Sequence, residues 1–305
     1  MKVFKGKIII LKGGYSHERD ISLKSAENVE KALEKIGYKY DSIDCVDEFI
    51  NKIINSKAEL CFNALHGEFG EDGQIQAILD KLNIKYTHSG VSSSLIAMNK
   101  AISKEIFIRN NLPTPNYQLI EKNKFHSLDL KPPFVIKPVN NGSSIGIYII
   151  LNESDKIRLI KELEDWQYGN YIMVEKYIKG RELTCGIING KPTEVMEIKP
   201  RNNFYDYDTK YTKGMSDHFI PAELPKNLYD NIKEMTLDCH NLLNCNGITR
   251  TDFRLEEESN KPFVLEINTH PGLTKTSLIP ELASAQGISY TDLICLIIEE
   301  ALCRE

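Results

Sequence analysis

The opening of the chain switches repeatedly between two hydrophobic periods. The apolar run Ile8–Leu11 leads into Gly13-Gly14, after which apolar residues recur at helical spacing at Ile21, Ala26, Val29, Leu33 and Ile36, and Gly37 ends the series. A short continuous apolar run reads as a buried strand, and the helical recurrence as an amphipathic helix. Ser16 is the expected N-cap. "YKYDSID", "AELCFNAL" and "IKYTHSG" carry further strand signals, while "DEFINKIIN" and the glycine-opened "GEDGQIQAILDKLN" read as helices. This alternation predicts a small parallel sheet covered by helices.

After Gly90 the pattern changes. "SSSLIAMNK" and "AISKEIFIRNN" are helical and stop at "LPTP", where proline disfavours helix in the residue before it. Short strand signals follow in "PFVIKP", "IGIYII", "YIMVEKYI", "ELTCGIING" and "TEVMEIKP", which predict antiparallel pairing. "SDKIRLIKELED" and "KNLYDNIKEMTLDCHNLLN" read as helices between them. Residues 201–217 form a polar connection of more than usual length, and such segments often serve as lids. A hairpin, "GITRTDFRLEEESNKPFVLEINTHPGLT", and two short helices close the chain.

Folded about Ser259-Asn260, that hairpin sets Asp252 opposite Glu266 and Arg250 opposite Asn268. Side-chain alternation puts Phe253, Leu255, Phe263, Leu265 and Ile267 on one apolar face, and the four polar residues on the other. Like charges directly opposed destabilise a sheet. Two readings stand on the residues alone. Either Asp252, Glu266 and Asn268 hold a divalent cation, for which oxygen ligands suit magnesium, or the face is solvated and Arg250 pairs with Asp252.

Phosphate chemistry has a matching candidate. Neither GxxxxGK[ST] nor GxGxxG occurs, but "VIKPVNNGSSIGIYII" is a strand, a Gly/Ser-rich turn and a strand. Lys137 would project from the strand end, and Gly142, Ser143, Ser144 and Gly146 could present backbone N–H groups and hydroxyls to phosphate oxygens. The plainer alternative is a flexible hairpin loop, with Lys137 and Lys100 as surface lysines.

Composition narrows the class. The 305 residues allow two or three domains, and 41% hydrophobic with 27% charged residues is the balance of an ordered protein. A net charge of −5 gives no sign of nucleic-acid or membrane-surface binding. No apolar run approaches the ~20 residues of a membrane span, and "MKVFKGKIIILKGG" reads as a first strand, not a signal peptide. Seven cysteines without CxxC, HExxH or a Cys/His ladder argue against structural zinc. Contexts such as those of Cys61 and Cys295 suggest buried hydrophobes in a reducing cytoplasm.

In order and over nearly the whole chain, these segments resemble the ATP-grasp superfamily and, within it, the D-alanine–D-alanine ligase family. "LKGGYSHERDISLKSAENV" is similar to that family's GG-x-S-x-ERE-x-S motif, with Asp20 for the second Glu. "NALHGEFGEDGQIQAILDKLNIKYTHSGVSSSLIAMNKAISK" matches its ALHG…GEDG…Y-T-G-SG…DK stretch, with His88 where Gly is common and Asn99 in place of Asp. "VIKPVNNGSSIGI", "VEKYIKGRELTCGI", "FYDYDTKYT" and "GITRTDFRL…LEINTHPGLTKTSLIP" match its remaining motifs.

The resemblance implies an α/β ATP-grasp fold with a Rossmann-like parallel N-terminal domain (1–89), a central domain (90–178) and a C-terminal domain (179–305), the last two clasping ATP through antiparallel sheets. It implies ligation of two D-alanines to D-alanyl-D-alanine for peptidoglycan precursors, with ADP and phosphate released. Lys100, Lys137, Ser143 and Ser144 would hold the ATP phosphates, Glu175 the adenine side and Glu182 the ribose, with Lys210 reaching the γ-phosphate. Asp252, Glu266 and Asn268 would ligate two Mg2+, with Mn2+ as a substitute and Glu266 bridging. Glu18 would pair with the first D-alanine's ammonium, and His66 would lie near its carboxylate. Arg250 and the Gly272 N–H would face the oxyanion. Ser277 and the Leu278 N–H would hold the second carboxylate, and Ser143, Tyr211 and Glu18 would tie the loop shut. The resemblance further implies a cytoplasmic homodimer without nucleic-acid or membrane partners. The alternatives are a relative making D-alanyl-D-lactate or D-alanyl-D-serine, against which Tyr211 in the YDYxxKY loop weighs for lactate, and a non-catalytic nucleotide-binding protein, which would be expected to lack one of these groups.

Overall fold

The computed structural model describes residues 4–127, 130–201 and 214–304. Strands β1 (Ile8–Lys12), β2 (Tyr40–Asp44), β3 (Leu60–Asn63) and β4 (Lys85–Tyr86) form a parallel sheet in the order β2-β1-β3-β4. Helices α1 (Arg19–Ile36), α2 (Phe49–Ser56) and α3 (Gln74–Lys81) connect them. The unbroken apolar run of β1 has a simple cause: both faces are covered. Ile8 and Ile10 pack in the core that contains Val29 and Leu33 of α1, and Ile9 and Leu11 in the core that contains Ile53 of α2 and Leu79 of α3.

Gly37 ends α1 as expected, at φ +86 with its N–H on the Leu33 and Glu34 carbonyls. The start differs from expectation. Glu18, not Ser16, takes the N-cap position. The Ser16 hydroxyl accepts from the Glu18 N–H (3.1 Å) and donates to the His66 carbonyl (2.6 Å), so it ties the turn to the neighbouring loop instead of capping the helix. α4 (Val91–Met98) and α5 (Lys100–Arg109) meet at Asn99, one residue before the break the sequence suggests. The Asn99 side chain accepts from the Ala101 and Ile102 N–H groups, so an amide does the capping work at this family position.

β5 (Tyr117–Glu121), β6 (Phe134–Pro138), β7 (Tyr148–Ile150), α6 (Glu153–Glu162) and β8 (Tyr171–Lys176) follow, the strands forming an antiparallel sheet in the order β5-β8-β6-β7. β5 carried no clear sequence signal because it is largely surface-facing, with only Ile120 buried. The last sheet has the order β11-β10-β9-β12-β13. It comprises β9 (Gly180–Ile188), β10 (Lys191–Pro200), β11 (Ser216–Phe219), β12 (Thr249–Glu256) and β13 (Pro262–Asn268), with α7 (Lys226–Leu242) between β11 and β12, and α8 (Leu278–Ala285) and α9 (Tyr290–Cys303) after β13. β11 takes up the end of the stretch expected to be loop; residues 202–213 of that stretch lie outside the described residues. Every cysteine except Cys303 is buried. Among the described residues no helix is long and apolar enough to cross a membrane.

The hairpin β12–β13 has the expected register, Arg250↔Asn268 and Asp252↔Glu266. A bulge follows, so that Phe253 pairs with Val264. It corrects the expected apolar face. Phe253, Leu255, Val264 and Ile267 enter the core, whereas Phe263 and Leu265 remain partly exposed.

β9 begins where backbones meet closely. Gly180 has φ +153, and a Cβ there would lie 1.8 Å from the Leu255 carbonyl oxygen. Gly190, at φ +69, has nothing within 4 Å of that position. Gly190→Ala is therefore expected to cost only the backbone strain of about 1–2 kcal/mol. Gly180→Ala is expected to cost about 1–3 kcal/mol more through overpacking. Urea unfolding of both variants checks this, and equal losses would contradict it.

Candidate active site

The polar face of the hairpin gathers charge at the mouth of two adjoining clefts. Asp252 Oδ1 accepts from Thr184 Oγ1 (2.7 Å) and Arg250 Nε (2.8 Å), and Oδ2 accepts from Arg250 Nη2 (2.8 Å). The Arg250–Asp252 pairing weighed in the sequence is thus present. An ionised carboxylate offers roughly four lone-pair positions, so Asp252 keeps capacity for a further ligand. Glu266 Oε2 lies 3.3 Å from Lys100 Nζ. Lys100 opens α5 and also donates to the Asn141 carbonyl. Asn268 Oδ1 accepts from the His270 N–H at 2.8 Å. Two carboxylates held in register beside an amide oxygen form a hard donor set that fits a divalent cation such as magnesium.

One cleft is lined by Glu18, His66, Ser143, Arg250, Gly272 and Ser277, among others. The second is lined by Lys137, Ser144, Glu175, Glu182, Asp252 and Leu265, among others. Lys100, Asn268 and Leu278 belong to the first. Glu266 lines both.

The Gly/Ser turn between β6 and β7 closes one side. Ser143 and Ser144 both hold positive φ, +52 and +58, in a conformation L-residues rarely adopt and functional sites often do. The Ser143 hydroxyl donates to Glu18 Oε1, which joins this turn to the start of α1. On the opposite side, Ser277 is the N-cap residue of α8. Its Oγ accepts from the Thr274 N–H (3.0 Å), and a Cβ at Gly272 would lie 2.8 Å from it, so a side chain at 272 would push the Ser277 hydroxyl aside. Lys210 and Tyr211 lie outside the described residues.

Sequence reasoning missed a buried partner. Lys104, fully buried one helical turn after Lys100, donates to Thr114 Oγ1 (2.5 Å) and lies 2.7 Å from Glu175 Oε2. Lys137 lies 3.0 and 2.9 Å from the two Glu175 oxygens. Burial alone would push the Glu175 carboxyl up, but the two ammoniums outweigh it and hold it below the usual carboxylate range. Burial pulls Lys104 down to about 8 against the opposing pull of Glu175. The available signal was the four-residue spacing of Lys100 and Lys104 on one helix. Glu182 meets Arg254 at 3.2 Å in the same cleft.

His66 is held at both nitrogens, Nδ1 by Glu71 Oε1 (2.9 Å) and Nε2 by Ser25 Oγ (3.0 Å). Burial raises the Glu71 carboxyl. His88, at a position where the family commonly has glycine, stacks on His270 at 3.9 Å and 26° and sits edge-on to Phe62. Burial pulls His88 down to about 3.

A cleft between antiparallel sheets, with lysines on one side and paired carboxylates at its mouth, is the arrangement of an ATP-grasp ligase. The profile of the D-ala D-ala ligase C-terminus matches residues 106–299. The chain is 42% identical to the D-alanine–D-alanine ligase of Zymomonas mobilis subsp. mobilis, over 99% of this chain and 95% of that one. It is 43% identical to that of Rickettsia canadensis, over 97% and 84%. The crystal structure of the D-alanine–D-alanine ligase from Bacillus anthracis complexed with ATP aligns with a TM-score of 0.83 at 33% identity, over 98% of both chains. The chain belongs to the D-alanine–D-alanine ligase family, whose members are ADP-forming ligases.

The Lys104 environment has a pH signature. With its pKa lowered from 10.5 to about 8, the folded chain releases this proton earlier than the unfolded chain. The unfolded state then binds more protons, and stability rises with pH across that window. In denaturation experiments between pH 8 and 10.5, the stability of the native protein relative to Lys104→Met is expected to increase. A flat or falling difference would contradict the buried, depressed lysine.

Proposed function

We propose that the protein joins two D-alanines at the expense of ATP, forming D-alanyl-D-alanine, ADP and phosphate for peptidoglycan precursors. The observation that carries this reading is that Glu266 lines both clefts. A carboxylate there stands where a phosphoryl group would pass from a nucleotide in the second cleft to an amino acid in the first.

A carboxylate is a poor acyl donor, because its charge repels nucleophiles and oxide is a poor leaving group. Phosphorylation of the first D-alanine by ATP gives an acyl phosphate, and the amine of the second displaces phosphate to form the peptide bond. Phosphoryl transfer depends chiefly on positioning and charge neutralisation. Asp252, Glu266 and Asn268 would hold two Mg2+, or Mn2+, which when bound neutralise phosphate charge. Lys100 and Lys137 would bind the phosphates with Ser143 and Ser144, and Lys210 would join them from its loop. Glu175 anchors Lys137, and Glu182 would meet the ribose. Glu18 would receive the first ammonium, with His66 beside that substrate. Arg250 and the Gly272 N–H would stabilise the tetrahedral oxyanion. Ser277 and the Leu278 N–H would bind the second carboxylate at the helix N-terminus, where anions are favoured. Tyr211 would close the network of Ser143 and Glu18, excluding water from the acyl phosphate. The three expected domains, homodimeric assembly and a cytoplasmic location belong to the same reading.

Phosphate release from ATP is expected to require D-alanine and not to be supported by L-alanine or D-lactate. D-serine is the stringent comparison, since pockets reject an added hydroxyl poorly. Absence of D-alanine-dependent release would overturn the proposal. Glu266→Gln is expected to retain the circular dichroism of the fold, because the hairpin's other face forms the core, and to lower turnover at least about 100-fold, the scale of losing one key electrostatic group. A folded variant with near-native turnover would contradict the role given to Glu266.

A further inference from the structure

At the wall of the first cleft, His66 and Glu71, five residues apart, meet His270 from the segment after β13. One donor atom from each of His66, Glu71 and His270 lies within 4.8 Å of the other two, and all three residues are buried. His66 and Glu71 line the cleft, and His270 is not among its lining residues. The orientation of the group is fixed from outside. Ser25 Oγ holds His66 Nε2 at 3.0 Å, His88 stacks on the His270 ring at 3.9 Å, and Asn63 Nδ2 lies 3.5 Å from His270 Nδ1. Metal-ligating histidines are commonly oriented by donating the far N–H to an oxygen, as His66 Nε2 can to Ser25 Oγ.

The remaining His270 nitrogen, Nε2, has no hydrogen-bond partner among the described residues. His270 is only 1% exposed, so water does not compensate in bulk. Buried polar atoms are seldom left without a partner, and an exception calls for one, an ion included.

We propose that His66, Glu71 and His270 form a binding site for a borderline divalent cation of the zinc class, separate from the oxygen site of Asp252, Glu266 and Asn268. Two imidazoles and a carboxylate are a donor set that zinc accepts with a fourth position left for water or substrate. Magnesium prefers oxygen ligands and retains its waters, so it competes poorly here. With ligands about 2.0–2.1 Å from zinc, tetrahedral donors stand about 3.4 Å apart. His66 and Glu71, whose donor atoms are 2.9 Å apart, would part slightly, and His270 would close toward them by about an ångström. The incoming cation displaces the proton shared between His66 and Glu71, which passes to solvent, so binding weakens as pH falls. Because His66 and Glu71 also line the first cleft, an ion here sits on the amino-acid side of the site and away from the nucleotide side.

The test is spectroscopic and does not depend on turnover. The untagged full-length protein, stripped with chelator, is titrated with Co2+ in saturating Mg2+. The expected result is one equivalent of an intense visible band of four-coordinate, nitrogen-ligated cobalt, bleached by one equivalent of Zn2+. Only the weak absorption of six-coordinate, oxygen-ligated cobalt, or a band abolished by Mg2+, would overturn the proposal in the native protein alone. His270→Gln, checked for folding by circular dichroism, is expected to lose the band. Its persistence in the folded variant would also overturn the site. X-ray absorption of the zinc-loaded native protein is expected to show imidazole scattering, and an oxygen-only shell would count against it.

Discussion

Two carboxylates held opposite each other across neighbouring strands are the constraint around which the site is arranged. The repulsion between Asp252 and Glu266 would weaken an isolated hairpin. The fold offsets it from below and from the sides. Phe253, Val264 and Ile267 anchor the underside in a core. Arg250, Thr184 and Lys100 supply donors or positive charge to the carboxylates themselves. The bulge after this pair turns Leu265 out of the core and into the wall of the second cleft. A single inserted residue thus serves packing on one face and shapes a binding surface on the other.

The second cleft rests on an uneven group of buried charges. Glu175 faces both Lys104 and Lys137, leaving one positive charge in excess among the three. Buried ion pairs are weak sources of stability, because desolvation consumes most of the Coulombic gain. Here the excess cation borders a cleft suited to a polyanion, so the arrangement makes more sense as preparation for a ligand than as reinforcement of the fold. Glu175 fixes where the ammonium of Lys137 points before any phosphate arrives.

Much of this was legible in the sequence, for reasons that can be named. The continuous run of β1 and the glycine stop of α1 follow from burial on both faces and from αL geometry. The hairpin register followed from side-chain alternation and one turn position. The bulge was not legible, because simple alternation has no means of marking an extra residue, and it misassigned Phe263 and Leu265. β5 and β11 were missed because strands with exposed faces show little hydrophobic period. Ser16 suited an N-cap by type, but a contact with a loop about fifty residues away claimed its hydroxyl. The candidate site residues lie in local motifs, and the structure brings those it describes to two adjoining clefts. Lys104 and His270 were not singled out, since their partners come from elsewhere in the chain. The search for zinc spacing failed for the same reason: His66, Glu71 and His270 share no short motif.

The apolar core around Ile8, Phe62 and Val29 is continuous with Ile279 of α8 and with Ile294 and Ile298 of α9. The parallel sheet at the start of the chain is therefore covered by its last helices. α1 covers part of that face on its own, and the remainder closes only when α8 and α9, more than two hundred residues further along, pack beside it. Long-range closure of this kind slows folding and leaves apolar surface open to misassociation. A chain without α9 would carry that liability permanently, although every residue of the β12–β13 hairpin would still be present.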